Sequence, residues 1–241
     1  MLFLLRKIRR KLLTDNKVTT YMLYAVGEII LVVVGILIAV SIDDLNEKHT
    51  NNKRVENALG FLVDDLKEDS ITINKLLLYY TPRRDKSKNL FDRASSRNAT
   101  IDTLVQIMSS EFDGYWDKHF AYKKAAYENI KNGGILELLA DSLRLQITDT
   151  YHAYERNVIA MQEQNKQYRD PATDFYMRFP IFQFYPHDDF IANWRTEYEK
   201  EFHPRAEWLL FVHYYMWNGY IKYLEEEQIK VNTLLSTLQA T

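Results

Sequence analysis

Residues 24–42 read YAVGEIILVVVGILIAVSI, and this stretch decides the fold. Ala25 to Ile42 is a run of 18 residues, all apolar or small except Glu28 and Ser41. As a helix rising 1.5 Å per residue it reaches about 27 Å, close to the hydrocarbon thickness of a bilayer. The flanks orient it. Arg6, Lys7, Arg9, Arg10, Lys11 and Lys17 precede it against a single Asp15, whereas Asp43, Asp44 and Glu47 follow before the first Lys48. The excess of Lys and Arg on one side places the N-terminus in the cytoplasm and the chain beyond the span outside. A cleaved signal peptide is the competing reading, because Ala39-Val40-Ser41 loosely resembles a cleavage site. The apolar region and its leader are too long for one, and a glutamate within it is out of place, so an anchor is expected.

Ahead of the span, LFLLRKIRRKLL mixes Leu2, Phe3, Leu5, Ile8 and Leu12 with the basic cluster Arg6, Lys7, Arg9, Arg10 and Lys11. On a helix this gives an apolar and a cationic face, suited to lying on an anionic leaflet. The plainer reading is a topogenic positive cluster. Both give the same orientation.

Gly27, Glu28 and Gly35 are the unusual residues of the span. Glu28 and Gly35 are seven apart and lie nearly above one another on a helix, with Val32 and Ala39 on the same stripe. Gly35-xxx-Ala39 is a small-xxx-small step, the spacing that lets two backbones approach closely in a bilayer. An ionisable group costs about 2.5–3.5 kcal/mol at the centre of a span and less near an interface, so such groups face a partner helix or a wet cavity. Three readings of Glu28 stay open: it reaches toward the headgroups, it marks a packing face, or it is a proton-coupling acid.

Past the span, Val55, Leu59, Leu62, Leu66, Ile73, Leu76 and Tyr80 recur in steps of three and four, with Asp69 the interruption. No proline occurs before Pro82, so the anchor is expected to run into a stalk-like helix ending near Thr81-Pro82. TPRRDKSKNLFDRASSRNAT then reads as a surface loop or broken helix. Asp102 is placed as the cap of a short helix through Glu111, and a second short helix is expected over 117–131, ending at Gly133-Gly134. Asp141 reads as the N-cap of a long helix to about residue 169, with Leu143, Ile147, Tyr151, Tyr154, Val158, Met161 and Tyr168 on one face. Pro171, Pro180 and Pro186 break the aromatic segment that follows, FPIFQFYPHDDF. From about Pro204, Leu210, Tyr214, Trp217, Ile221, Leu224, Val231, Leu235 and Leu238 form one seam, with Gln228 polar. WLLFVHYYMW, 208–217, is too short to cross a bilayer and reads as buried core.

The whole chain of 241 residues fits this plan: 46% is hydrophobic, and seven glycines and five prolines leave room for long helices. The expected class is all-α: one N-terminal transmembrane helix continuing into a periplasmic helical bundle with long heptad-patterned helices. The segments are a cytoplasmic basic leader at 1–20, a transmembrane helix at 21–43 and a periplasmic helical domain at 44–241. A net charge of −2 offers no general basic field for nucleic acid. The absence of cysteine removes disulfides, thiolate metal sites, a cysteine nucleophile and a lipidated cysteine.

No Walker loop, GxGxxG, GxSxG or HExxH occurs. His187-Asp188-Asp189, with Glu197, Glu201 and His203 downstream, is the densest set of metal-ligating types. A turn and cap leading into a helix is the simpler reading of the first three. His213, among aromatics at helical spacing, reads as a satisfied core histidine, and Glu225-Glu226-Glu227 as a solvated face. No cofactor is expected.

Two stretches carry a family resemblance. FLLRKIRRKLLTDNKVTTYMLYAVGEIILVVVGILIAVSIDDLNE resembles the opening of a family of single-span envelope proteins of Bacteroidota, and YENIKNGGILELLADSLRLQITDTYHAYE, 127–155, is similar to the same family's helical ectodomain. The family usually shows a tryptophan where this chain has Leu45. The resemblance implies an inner-membrane protein facing the periplasm and supplies no activity.

The function expected on these grounds is a non-enzymatic, membrane-anchored assembly or scaffold subunit of an envelope complex. Its partners would be membrane lipids and either further copies of itself or other envelope proteins, docked through Gly27, Glu28, Gly35 and Ala39 and the helical domain. The alternatives are a subunit of a proton-driven envelope machine using Glu28, and a metal-dependent periplasmic enzyme using the His187–His203 region.

Overall fold

The computed structural model describes the backbone of residues 18–114, 121–179 and 188–240, and side chains within these except at 18–20 and 188–199. Among the described residues every regular element is helical and there is no strand. In order they are α1 (Val18–Ala94), α2 (Ile101–Gln106), a π-helical turn (Ile107–Glu111), α3 (Ala125–Asn132), a single 3-10 turn (Leu136–Leu138), α4 (Asp141–Arg178) and α5 (Asp188–Ala240). The chain divides into two compact units, Met1–Glu56 and Asn57–Thr241.

In the first unit the described chain is the N-terminal part of α1. It is long and apolar enough to cross a membrane, and none of its most apolar window is buried within the protein. Leu23, Ile29, Leu31, Ile38 and Ile42 all stand open. The basic leader, Arg6 to Lys11, lies outside the described residues.

The second unit is organised by three long helical segments. The α1 seam expected from sequence is buried at Leu62, Leu66, Ile73 and Tyr80, and Asp69 is buried with it. α5 runs antiparallel to α1: Ser70 meets Asn232, Ser87 meets His213, and the Phe91 and Phe211 rings lie 5.5 Å apart. It is likewise antiparallel to α4, with Asn157 beside Glu227, the Tyr220 hydroxyl donating to the Met161 carbonyl at 3.0 Å, and Arg205 paired with Asp174. An aromatic spine of Tyr80, Trp217 and Tyr220, with centroids 5.1–5.6 Å apart, fills the centre. Such contacts add about 0.5–1.5 kcal/mol each beyond burial.

Several expected boundaries move. α1 does not end at Thr81-Pro82 but runs on to Ala94 with Pro82 inside it. The buried stripe continues from Tyr80 through Ser87, Leu90 and Ala94, and that burial outweighs the one backbone bond Pro82 cannot make. Arg83 supports the site, donating to the Tyr79 carbonyl at 2.9 Å with its guanidinium 3.4 Å above the Tyr79 ring. The cap of α2 is Thr100, not Asp102: its hydroxyl accepts the Thr103 N–H at 3.3 Å, and the Thr103 hydroxyl accepts the Thr100 N–H at 3.4 Å. α3 begins at Ala125; residues 121–124 are irregular connection and 115–120 lie outside the described residues. α3 ends at the Gly133-Gly134 stop, where Gly134 takes φ +68.

Ala140, not Asp141, is the N-cap of α4; Asp141 is its first residue and bonds Arg144 at 2.6 Å. α4 also passes its proline, Pro171, to reach Arg178, because Ala172 and Phe175 extend the buried face. α5 starts at Asp188 rather than near Pro204, which sits inside the helix. In all three helices tertiary burial overrides a local breaker.

Candidate functional site

Three places in the chain hold the residue types from which a site could be built. The first is the apolar helix of the first unit. Gly27, Glu28, Gly35 and Ala39 are all exposed, and a Cβ added at Gly27 or Gly35 would meet nothing within 4 Å. Among the described residues nothing covers the stripe, which is open along its length.

The second is a polar chain buried in the second unit. The Ser87 hydroxyl lies 2.8 Å from His213 Nδ1, and Trp217 Nε1 lies 2.9 Å from His213 Nε2. The indole N–H only donates, so Nε2 must be the acceptor and Nδ1 carries the proton of the neutral ring. Nδ1–H then donates to Ser87 Oγ. A serine nucleophile needs the opposite polarity, with the ring nitrogen facing the hydroxyl free to take its proton. The pair is thus a structural bond, as expected of a core histidine at 4% exposure. The adjoining cavity, lined by Arg83, Lys86, Phe112 and Asp113, measures about 30 Å³, room for little more than water.

The third was not anticipated. Glu227, expected on a solvated face, is wholly buried, and Asp69 is 2% exposed. Tyr122 and Asn157 both donate to Glu227, the latter at 3.1 Å. Asp69 accepts the Lys123 N–H at 3.0 Å, and Asp65 accepts the Ala126 N–H at 3.1 Å. Tyr122 and Tyr154 stack face to face with centroids 3.8 Å apart between the two acids, and the Tyr154 hydroxyl faces Asp69 at a geometry short of a full bond. Burial pushes Asp69 up to about 6 against the lowering effect of the Lys123 N–H, and pushes Glu227 up to about 7 against its two donors. Burial also raises the Tyr122, Tyr151 and Tyr154 phenols, which stay protonated. The sequence signal was present: Asp69 falls on the α1 seam, and Glu227 is three residues past Leu224 on the α5 seam.

The residues of the alternative metal reading do not come together where they are described. His187 lies outside the described residues, as do the side chains of Asp188, Asp189 and Glu197. Glu201 pairs with Arg178 at 2.7 Å, and His203 Nδ1 stands 3.9 Å from Glu207. Among the described residues no group of three His, Asp or Glu could hold a metal ion.

No curated protein and no solved structure matches the chain. One family model does, over residues 28–172, from Glu28 in the apolar helix through α4 as far as Ala172. By that match, which covers more than half of its length, the chain belongs to the family of unknown function DUF6090.

Proposed function

We propose that the protein is a non-enzymatic assembly subunit of an envelope complex, anchored in the inner membrane with its N-terminus in the cytoplasm and its helical domain in the periplasm. The observation that carries this reading is the apolar helix of the first unit, whose side chains from Val26 to Ile42 stand open and require lipid or another helix. The charge contrast across it, Arg6 to Lys17 before and Asp43 to Glu47 after, supports the orientation. The open Gly27, Gly35 and Ala39 stripe supports close packing with a second helix, from another copy or from a different envelope protein.

Native mass spectrometry of the full-length protein, extracted gently from its own membrane, tests the proposal. An oligomer or a hetero-complex that Gly35→Leu dissociates is the expected outcome. A monomer unchanged by that substitution overturns it. Glu28 motivates a second reading, a subunit of a proton-driven machine, because it is an exposed acid within the apolar helix. Under that reading Glu28→Gln leaves the assembly mass unaltered and removes the proton dependence of the isolated complex.

A further inference from the structure

We propose that the Asp69–Tyr154–Tyr122–Glu227 cluster is a proton-operated clamp, which holds the 121–124 connection and α3 against α1, α4 and α5 when protonated and releases them when ionised.

The geometry joins four parts of the second unit at one buried point. α1 supplies Asp69, α4 supplies Tyr154 and Asn157, α5 supplies Glu227, and the connection supplies Tyr122 and the Lys123 N–H. Tyr127 of α3 stacks on Tyr151 of α4 at 4.1 Å and extends the contact. Among the described contacts the connection and α3 meet α1 at three carboxylates: Lys123 N–H at Asp69, Ala126 N–H at Asp65, and Lys123 Nζ at Glu68 at 3.0 Å.

The groups facing the cluster do not neutralise it. Asp65 of α1 and Lys123 of the connection act on Asp69, and Glu226 of α5 acts on Glu227, while Glu128, Lys131 and Glu155 lie toward Tyr127 of α3. The three nearby cations are engaged at the surface: Lys123 with Glu68, Lys124 with Glu155 at 3.5 Å, and Arg156 with Glu226 at 3.0 Å. Both carboxylates are raised chiefly by their burial, and the charge of Asp69 adds a minor contribution at Glu227. The clamped form binds protons more tightly than the open form, in which both acids meet water. The contribution of Asp69 and Glu227 to clamping is fully present below the ordinary carboxylate range and is lost as pH rises through about 6 to 7. The released protons pass to solvent.

Hydrogen exchange of the full-length chain in nanodiscs, corrected for intrinsic rates, reads this directly. Protection of peptides over 121–132 should fall on the order of a hundredfold between pH 5 and pH 8, while peptides from the centre of α4 and α5 change far less. Glu227→Gln should flatten most of that dependence, and Asp69→Asn part of it. If protection over 121–132 stays within about threefold across this range, or falls only in step with the helical core, the clamp does not exist. The wild-type profile decides this even if a variant fails to fold, and an unflattened profile in a folded Glu227→Gln also overturns the proposal.

Discussion

His213→Phe isolates the buried polar chain from the packing around it. The phenyl ring keeps the shape of the imidazole, and its neighbours, Phe112 at 4.9 Å and Tyr168 at 4.8 Å, are aromatic contacts it can retain. What goes is the hydrogen bonding. Trp217 Nε1 loses its acceptor inside the core, at a cost of about 1–3 kcal/mol for a stranded buried donor. Ser87 loses its bond to Nδ1 but can turn to a carbonyl of its own helix, which limits the loss to about 0.5–1 kcal/mol. The sum is a destabilisation of about 1.5–4 kcal/mol, large against the roughly 5–15 kcal/mol typical of a folded domain. Urea unfolding of the full-length protein in nanodiscs, followed by far-ultraviolet circular dichroism, would measure it. The companion experiment is a double-mutant cycle with Trp217→Phe. Once the indole N–H is gone, removing His213 strands nothing on that side, and the cycle should show about 1–2 kcal/mol of coupling. A cost for His213→Phe under about 0.5 kcal/mol, or a cycle with no coupling, would refute the assigned tautomer and the bond from Trp217.

Glu227→Gln should raise stability by about 2–3 kcal/mol at pH 8 and change it little near pH 4, because the folded state holds this acid's proton up to about 7 and stability is lost as pH climbs toward that value; denaturation at both pH values checks it. Pro82→Ala restores the backbone donor missing from α1 at an exposed position and should stabilise the domain by about 1–3 kcal/mol, seen as a higher urea midpoint at an unchanged slope. Ile73→Ala empties a fully buried site on the α1 seam and should cost about 2–5 kcal/mol in the same assay.

The apolar helix was legible because a run from Ala25 to Ile42 has only one cheap solution in water or lipid. The three long seams were legible because their apolar residues recur at helical spacing, and the structure buries Leu62, Leu66, Ile73, Leu143, Ile147, Tyr151, Leu210, Trp217 and Ile221 as that spacing requires. The ends of the helices were not. Pro82, Pro171 and Pro204 read locally as stops, but each lies where the buried face continues beyond it, a fact visible only once the partner helix is in place. Glu227 was misread for a related reason. In a run of three glutamates the residue type favours a solvated face; spacing from Leu224 singles out Glu227, but its burial becomes tolerable only with Tyr122 and Asn157 arriving from distant parts of the chain. Thr100 could have been preferred to Asp102 as a cap, since Thr103 stands three residues on and completes a reciprocal box. Ser87 and His213 are individually unremarkable in sequence, and only the docking of α1 on α5 makes them a pair.

The antiparallel pairing of α1 with α5 also governs the order in which the domain can be made. Ser87 waits for a partner 126 residues downstream, and Ser70 for one 162 residues downstream. On a ribosome the apolar seam of α1 emerges long before α5, and Leu62, Leu66, Ile73 and Tyr80 have no complete core to enter until α5 has followed. Contacts of such sequence separation close slowly and leave sticky surface exposed in the interval. A chain cut short before Trp217 would lack the central aromatic spine and should be held by chaperones or degraded rather than accumulate as a smaller folded domain.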